Sequence, residues 1–196
     1  MKIKRLIGGS LESNGYIIYN AEGGNCYVID PGYDGKRYIG ELDKMKLKIL
    51  GILLTHHHYD HVDAVMDIVN RYGCPVYLHA EDCDMYGKNV DVKLDDGDIL
   101  KLDNEEIQVL HTPGHTKGGV CYYNDRHKVA FTGDTIFNVD LGRTDLKDGS
   151  PKQMENSIRN VISQWTDDTT IYPGHGDPAT MKYVKNNNRE YMDLVR

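Results

Sequence analysis

The stretch Thr55-His56-His57-His58-Tyr59-Asp60-His61 decides how the rest of the chain is interpreted. It follows an apolar run that begins at Ile49 and is typical of a strand covered on both faces. Side chains alternate along an extended segment, so His56 and His58 point the same way and His57 points away. The turn into the amphipathic helix pattern that comes next brings Asp60 and His61 beside this pair. Three imidazoles and one carboxylate within a few residues favour Zn²⁺, Fe or Mn over Mg²⁺ or Ca²⁺.

Three later fragments place further metal-ligating side chains at the ends of apolar, strand-like segments. They are Thr112-Pro113-Gly114-His115-Thr116, Phe131-Thr132-Gly133-Asp134-Thr135 and Tyr172-Pro173-Gly174-His175-Gly176. Strand ends are where rigid scaffolds commonly present functional groups. Glycine allows tight turns and a close approach of the backbone. In this order after the histidine-rich stretch, the three fragments together predict one metal centre.

The remaining pattern predicts two facing sheets with helices outside, in a single α/β (α+β) domain over residues 1–196. Strands are expected at Ile3–Ile7, Tyr16–Tyr19, Asn25–Asp30, Ile49–Thr55, Val76–Leu78, Asp98–Leu102, Ile107–His111, Gly119–Tyr123, Val129–Thr132 and Thr169–Tyr172. Helices are expected at Asp34–Lys46, over residues 62–69, at Ala80–Tyr86, from Pro151 after a Ser150 cap to near Trp165, and at Met181–Val195.

Composition excludes several classes of function. The 196 residues carry a net charge of −7, which argues against a general electrostatic grip on nucleic acid or on an anionic membrane. No apolar run approaches the roughly 18 residues of a transmembrane helix. No long apolar region follows the basic start at Met1–Arg5. A secretory signal is therefore not expected, and the expected location is the cytoplasm. The four cysteines form no C-x-x-C pair, so a cysteine-built zinc site is not predicted.

With these motifs in place, the chain resembles the metallo-β-lactamase superfamily of hydrolases from Asn25–Gly32 through His115 and Asp134 to His175. Within it, the chain is most similar to the glyoxalase II group, or hydroxyacylglutathione hydrolases, in a short form. The fragments that carry the closer similarity are Gly114-His115-Thr116, Gly133-Asp134-Thr135-Ile136-Phe137, Gly142-Arg143-Thr144-Asp145 and Pro173-Gly174-His175-Gly176. The resemblance implies an αββα sandwich with the site at one edge of the two sheets.

The resemblance also implies a set of ligands for two divalent ions, with zinc expected first and iron or manganese as alternatives. Position by position, His56, His58 and His115 would hold one ion, Asp60, His61 and His175 the other, and Asp134 would bridge both. A hydroxide that bridges the ions would attack the carbonyl of a small thioester, a hydroxyacyl-thiol as in the glyoxalase II group. Asp60 would also orient this nucleophile, as a catalytic residue.

Several other residues have two interpretations. Asp30 either supports the site from behind the ligands or caps the turn at Pro31-Gly32. Arg143 either binds substrate, as implied by the resemblance, or forms a salt bridge to Asp145 or Asp148. His57 is expected to be structural. The histidines without motif context are expected to be ordinary: His79, His111 and His127.

Alternative functions remain open at this point. A mononuclear iron persulfide dioxygenase would use mainly His56, His115 and Asp134, and a lactone or ester hydrolase of the same superfamily would use the whole set. A non-enzymatic metal-binding module would show a metal site closed to water. The expected partner is a small-molecule thioester or a related substrate. The sequence leaves the acyl group, the thiol carrier, the metal and the oligomeric state undecided.

Overall fold

The computed structural model describes residues 1–196, and its strands form two six-stranded sheets. The first sheet has the order β1-β2-β3-β4-β5-β6, antiparallel over the first three strands and parallel from β3 onward. Its strands are β1 (Lys2–Gly8), β2 (Ser13–Tyr19), β3 (Asn25–Ile29), β4 (Lys48–Leu53), β5 (Val76–His79) and β6 (Val92–Leu94). In the parallel pair, Ile29 lies opposite Leu53, so both strands end at the same edge.

The second sheet has the order β12-β11-β10-β9-β8-β7, and only β10 and β11 are parallel. Its strands are β7 (Ile99–Leu102), β8 (Glu105–His111), β9 (Val120–Asn124), β10 (Val129–Gly133), β11 (Thr170–Pro173) and β12 (Ala179–Thr180). Because β9 runs antiparallel to both β8 and β10, the ends of β8, β10 and β11 point to the same edge.

Seven α-helices lie between and after the strands. They are α1 (Gly35–Lys44), α2 (Tyr59–Val62), α3 (Val65–Tyr72), α4 (Cys83–Tyr86), α5 (Pro151–Asn160), α6 (Met181–Asn187) and α7 (Arg189–Val195). Short 3₁₀ turns at Ala80–Asp82 and Ile162–Gln164 extend the region before α4 and the region after α5. As expected, α5 begins at Pro151 with the Ser150 hydroxyl accepting from the Gln153 N–H.

Three apolar clusters hold the four layers together. Tyr16, Ile18, Tyr122 and Phe131 belong to the central cluster, which fills the space between the two sheets. A second cluster packs α1 and α3 against the outer face of the first sheet, and a third packs α5, α6 and α7 against the second sheet. The expected αββα sandwich of two mixed sheets with outer helices is confirmed.

The structure differs from the sequence expectation at several elements. The helix expected over residues 62–69 is divided, since α2 ends at Val62 and α3 begins at Val65, and the helix expected to reach Trp165 ends at Asn160. The expected elements do not include the short strands β6 and β12, each of which pairs with a single neighbour. The expected helix Met181–Val195 is interrupted at Asn188, whose backbone is extended and whose side chain caps α7 by accepting from the Tyr191 N–H. None of the helices combines the length and the apolar character needed to cross a membrane.

Candidate metal centre

One edge of the sandwich collects the candidate ligands from both sheets. Each of them comes directly after a strand or in the first turn that follows one. His56 and His58 follow β4, Asp60 and His61 lie in α2, His115 follows β8, Asp134 follows β10, and His175 follows β11. The structure therefore brings all seven predicted ligands to one place.

Hydrogen bonds between the sheets fix the loop that carries His175. The Asn14 N–H donates to the Gly174 carbonyl at 2.7 Å, and the Tyr16 hydroxyl donates to the Pro173 carbonyl at 2.6 Å. Asn14 and Tyr16 belong to β2 of the first sheet and are almost fully buried. The position of His175, which follows a strand of the second sheet, is thus set by the first sheet.

Three imidazoles form the first group of candidate ligands. Single nitrogen atoms of His56, His58 and His115 all lie within 4.8 Å of one another. The closest approach is 2.8 Å, between Nδ1 of His58 and Nε2 of His115. Such a cluster of convergent nitrogen atoms is the donor set expected for a transition metal.

A carboxylate and two imidazoles form the second group. Nε2 of His61 lies 3.3 Å from Nε2 of His175, and each of these nitrogen atoms lies 3.2 Å from Oδ2 of Asp60. The Ser13 hydroxyl, which is buried, donates to the same oxygen of Asp60 at 2.9 Å.

Asp134 lies between the two groups. Its Oδ2 is 3.4 Å from Nε2 of His115 in the first group, and its Oδ1 is 3.5 Å from Nε2 of His61 in the second. One carboxylate therefore reaches both groups, which is the geometry required of a bridging ligand.

Hydrogen bonds on the outer side of three imidazoles orient their inner nitrogen atoms. In each of them, Nδ1 meets an oxygen acceptor outside the site, so Nδ1 carries the hydrogen and the lone pair of Nε2 points inward. The acceptors are Thr55 Oγ1 for His56 at 3.0 Å, the Arg143 carbonyl for His115 at 2.7 Å, and the Leu11 carbonyl for His175 at 3.0 Å. Metal-ligating histidines commonly show this arrangement.

Two inward-facing atoms of the site are buried without a hydrogen-bond partner. They are Nε2 of His56 and Oδ1 of Asp134. A buried polar atom without a partner is costly, and cations held by the two groups would satisfy both atoms. The donor set therefore fits divalent transition-metal ions.

Electrostatics at the site favour a cation as well. Burial, together with the neighbouring imidazoles, lowers the pKa of His58 to about 4 and that of His56 well below its ordinary value. Burial also opposes a charge on His61, but the carboxylates of Asp134, Asp30 and Asp60 outweigh it and raise the pKa of His61 well above its ordinary value. The same carboxylates attract any cation that enters the site.

Comparison with known proteins identifies the family of the chain. The sequence pattern of the metallo-beta-lactamase superfamily matches residues 8–175. The chain belongs to this superfamily. It is 33% identical to "Hydroxyacylglutathione hydrolase GloC" of Haemophilus influenzae, over 96% of this chain and 97% of that protein. These relationships place it in a superfamily of metal-dependent hydrolases.

Two solved structures are close to the whole chain. The BLEG-1 B3 metallo-beta-lactamase has a TM-score of 0.89 and 32% identity, covering 97% of this chain and 99% of that one. TTHA1623, solved in a di-iron-bound form, has a TM-score of 0.84 and 32% identity, covering 95% and 99%. The superfamily fold therefore extends over nearly the entire sequence.

Asp30 lies behind the candidate ligands, as one of its two interpretations expects. Its carboxylate accepts from the Thr55 N–H at 2.7 Å and the Thr55 hydroxyl at 2.5 Å, and Oδ2 lies 3.6 Å from Nδ1 of His61. Its φ of 46° places it in the left-handed region just after β3. Support of the metal ligands by Asp30 stays a prediction.

A buried carboxylate that the sequence analysis missed organises the histidine-rich loop. Asp82 is 1% exposed and accepts from the His57 N–H at 3.1 Å, the Thr116 hydroxyl at 2.9 Å and the Gly118 N–H at 2.6 Å. Nδ1 of His57 lies 3.0 Å from the same carboxylate, so this imidazole points away from the site. No local pattern marks Asp82, because its partners are 25 to 36 residues away.

The Arg143 side chain forms the salt bridge that one interpretation expected. Its Nε and one terminal nitrogen lie 2.8 Å from the two oxygens of Asp145. Its backbone carbonyl is the acceptor that orients His115. Binding of substrate by the guanidinium stays a prediction.

Two histidines that were expected to be ordinary stack on each other. The rings of His79 and His111 have centroids 4.1 Å apart and an interplanar angle of 12°, with Glu81 nearby. Imidazole lone pairs lie in the ring plane, so nearly parallel stacked rings do not aim at a common ion. This pair therefore differs from the convergent histidines of the metal centre.

The candidate centre opens on a cavity of about 880 Å³. Candidate ligands form its floor, and mostly residues of the segment after Asp134 form its wall. The lining residues are Leu11, His58, Tyr59, Asp60, His115, Asp134, Phe137, Asn138, Val139, Asp140, Leu141, Arg143, Leu146, His175 and Gly176. A small molecule therefore has access to the centre, in contrast to a structural site closed to water.

Proposed function

We propose that the chain is a metal-dependent hydrolase that cleaves a small-molecule thioester. The observation that carries the proposal is the pair of ligand groups joined by Asp134 on the floor of an accessible cavity. The similarity to a relative named as a hydroxyacylglutathione hydrolase supports the choice of a thioester.

In this proposal, all seven side chains are ligands of two divalent ions. His56, His58 and His115 would hold one ion, Asp60, His61 and His175 would hold the other, and Asp134 would contact both. Bound divalent ions supply Lewis acidity: they polarise a carbonyl group and lower the pKa of water. The two ligand carboxylates balance part of the positive charge.

The residues of the chain position the reactants. Asp60 faces the cavity while the Ser13 hydroxyl fixes its Oδ2, so Asp60 orients the attacking water as well as serving as a ligand. The outer hydrogen bonds of His56, His115 and His175 hold their rings in place. Water oxygen forms a bond to the acyl carbon, the C–S bond breaks, and a carboxylate, a thiol and a proton are released.

A second candidate is iron-dependent oxidation of a persulfide in the same site. The 32% identical structure in a di-iron-bound form favours iron as a metal for this donor set, but not a particular reaction. Oxygen consumption with a persulfide and a content of one iron per chain would distinguish this activity from hydrolysis.

The test combines metal analysis with a substrate panel of thioesters, lactones, a β-lactam and a persulfide. We expect close to two equivalents of metal per chain and the highest turnover with a thioester. Asp134→Ala should lose metal and at least 100-fold in turnover, because it removes the group shared by both ligand sets. Asp125→Ala, at a carboxylate that is 77% exposed on the surface, is the matched control and should change neither.

Metal-free protein with full thioesterase activity would refute the proposal. So would turnover of every thioester at the rate of the uncatalysed reaction in fully metal-loaded protein. Oxygen uptake with a persulfide, without thioester cleavage, would establish the second candidate instead.

A further inference from the structure

The cavity beside the metal centre has an apolar wall. Phe137, Val139, Leu141 and Leu146 form it, all from the segment between β10 and α5. Val139 is 40% exposed and Leu146 is 39% exposed, so their apolar surface faces the open cavity. Solvent-exposed apolar side chains gathered around one cavity are typical of a binding surface.

Leu11, between β1 and β2, and Tyr59, in α2, add further apolar surface to the cavity lining. They are 48% and 63% exposed, and both line the same cavity. With Val139 and Leu146, they make four exposed large apolar residues around one opening. A ligand that reaches the metal centre therefore meets apolar side chains from three separate segments of the chain.

The C-terminal helices hold the apolar wall in shape. The buried Asn188 side chain donates to the carbonyls of Phe137 at 3.2 Å and Asp140 at 2.8 Å. The Glu190 carboxylate accepts from the Leu141 N–H at 2.7 Å. These contacts come from the junction of α6 and α7 and fix the backbone of residues 137–141, so this part of the wall is formed before any ligand binds.

The cavity offers little attraction to an anionic ligand away from the metal centre. Arg143 is the one Lys or Arg residue in its lining, and the two oxygens of Asp145 already pair with that guanidinium. Asp140 adds a negative charge to the lining. A carboxylate on the substrate would have to displace a salt bridge or lie near another carboxylate.

We infer that the cavity binds an uncharged, apolar acyl chain, and that the apolar wall selects it. The substrate class is then a thioester with an alkyl acyl group of several carbons. This inference rests on the proposed thioester hydrolysis and adds the identity of the acyl group. Each methylene that the wall removes from water should raise kcat/KM by about two- to fourfold.

The experiment measures kcat/KM for N-acetylcysteamine thioesters from acetyl to octanoyl, with the metal-loaded protein. The wild type should show a rising series until the cavity is filled. Val139→Asn and Leu146→Asn should lower the ratio of octanoyl to acetyl kcat/KM by at least fivefold each. Ile99→Asn, at a residue 47% exposed on β7 and outside the cavity, is the control and should leave this ratio unchanged.

A matched pair of four-carbon substrates tests the charge. Butyryl thioester should exceed succinyl thioester in kcat/KM by at least tenfold, since only the succinyl group carries a carboxylate. Equal rates for the pair, or a flat series from acetyl to octanoyl, would overturn the inference while leaving thioester hydrolysis intact. Failure to cleave any of these thioesters would refute the proposed function itself.

Discussion

Gly174 lies where the two ligand groups meet, and replacing it by alanine tests the geometry of the centre. A Cβ atom at this position would lie 2.2 Å from Oδ1 of Asp134 and 2.7 Å from Cε1 of His61. Ordinary contact begins at 3.4 Å, so the Asp134 oxygen would have to retreat by about 1.2 Å. The backbone at Gly174 cannot move away easily, because its N–H donates to the carbonyl of Gly133 in β10 at 2.8 Å.

The size of the effect follows from this displacement. A misplacement of about 1 Å in a catalytic site can cost roughly 100-fold in rate. We therefore expect Gly174→Ala to reduce kcat/KM for a thioester by about 100-fold, or about 2.7 kcal/mol of transition-state stabilisation. Overpacking should also lower the free energy of unfolding by about 1–3 kcal/mol. Metal bound per chain after dialysis should fall in parallel.

The matched control is Gly40→Ala, an exposed position in α1 where an added Cβ would meet nothing within 4 Å. Alanine in a helix is favoured over glycine by roughly 0.5–1 kcal/mol, so this variant should be slightly stabilised, with unchanged activity. The assays are kcat/KM, metal content by mass spectrometry and chemical unfolding. Wild-type rate and metal content in Gly174→Ala would show that Asp134 and His61 do not meet at this position.

Three further predictions concern the surroundings of the centre. Burial opposes ionisation of Asp82, but hydrogen bonds from His57 and two further donors outweigh it and lower its pKa. Asp82→Asn should therefore cost about 2–4 kcal/mol at pH 7. Because the folded-state pKa of Asp82 is lowered, the difference in free energy of unfolding between wild type and variant should be complete above about pH 4 and be lost as the pH falls through that pKa. Urea unfolding from pH 7 to 3 measures this difference, and a constant value would contradict the assignment. A chelator should lower the melting temperature reversibly, because metal at 100 times its Kd adds about 2.7 kcal/mol to the free energy of unfolding. A melting temperature insensitive to both chelator and added zinc would count against a metal centre. Ser13→Ala should lower thioesterase activity about 10- to 100-fold by releasing Asp60, whereas Ser163→Ala on the surface should have no effect.

The sequence was informative wherever the signal is local. Each candidate ligand stands in a short fragment in which an apolar run ends and glycine or histidine follows, so position along a strand could be inferred without the fold. The start of α5 could also be predicted, because Ser150 is a helix cap and Pro151 fits the first helical turn.

Contacts between distant segments could not be inferred in the same way. Ser13 lies 47 residues before Asp60, and no pattern in either segment indicates their hydrogen bond. Asn188 stands in what looked like one continuous helix, yet its side chain caps α7 and also binds the carbonyls of the segment after β10. The stabilisation that such a residue provides comes from partners that lie near it only after the layers have packed.

Thr55 shows why the centre depends on the packing of both sheets. Its hydroxyl donates to Asp30 and accepts from His56, which sets the imidazole tautomer, while its carbonyl accepts from the Val120 N–H of the second sheet at 2.9 Å. A Cβ added at Gly133 would lie 2.2 Å from the Thr55 hydroxyl. The end of β10, which leads into Asp134, therefore packs directly against Thr55. The alignment of His56 therefore requires the two sheets to be in register. The motif identifies the ligands, but only the packed sandwich gives them a common centre.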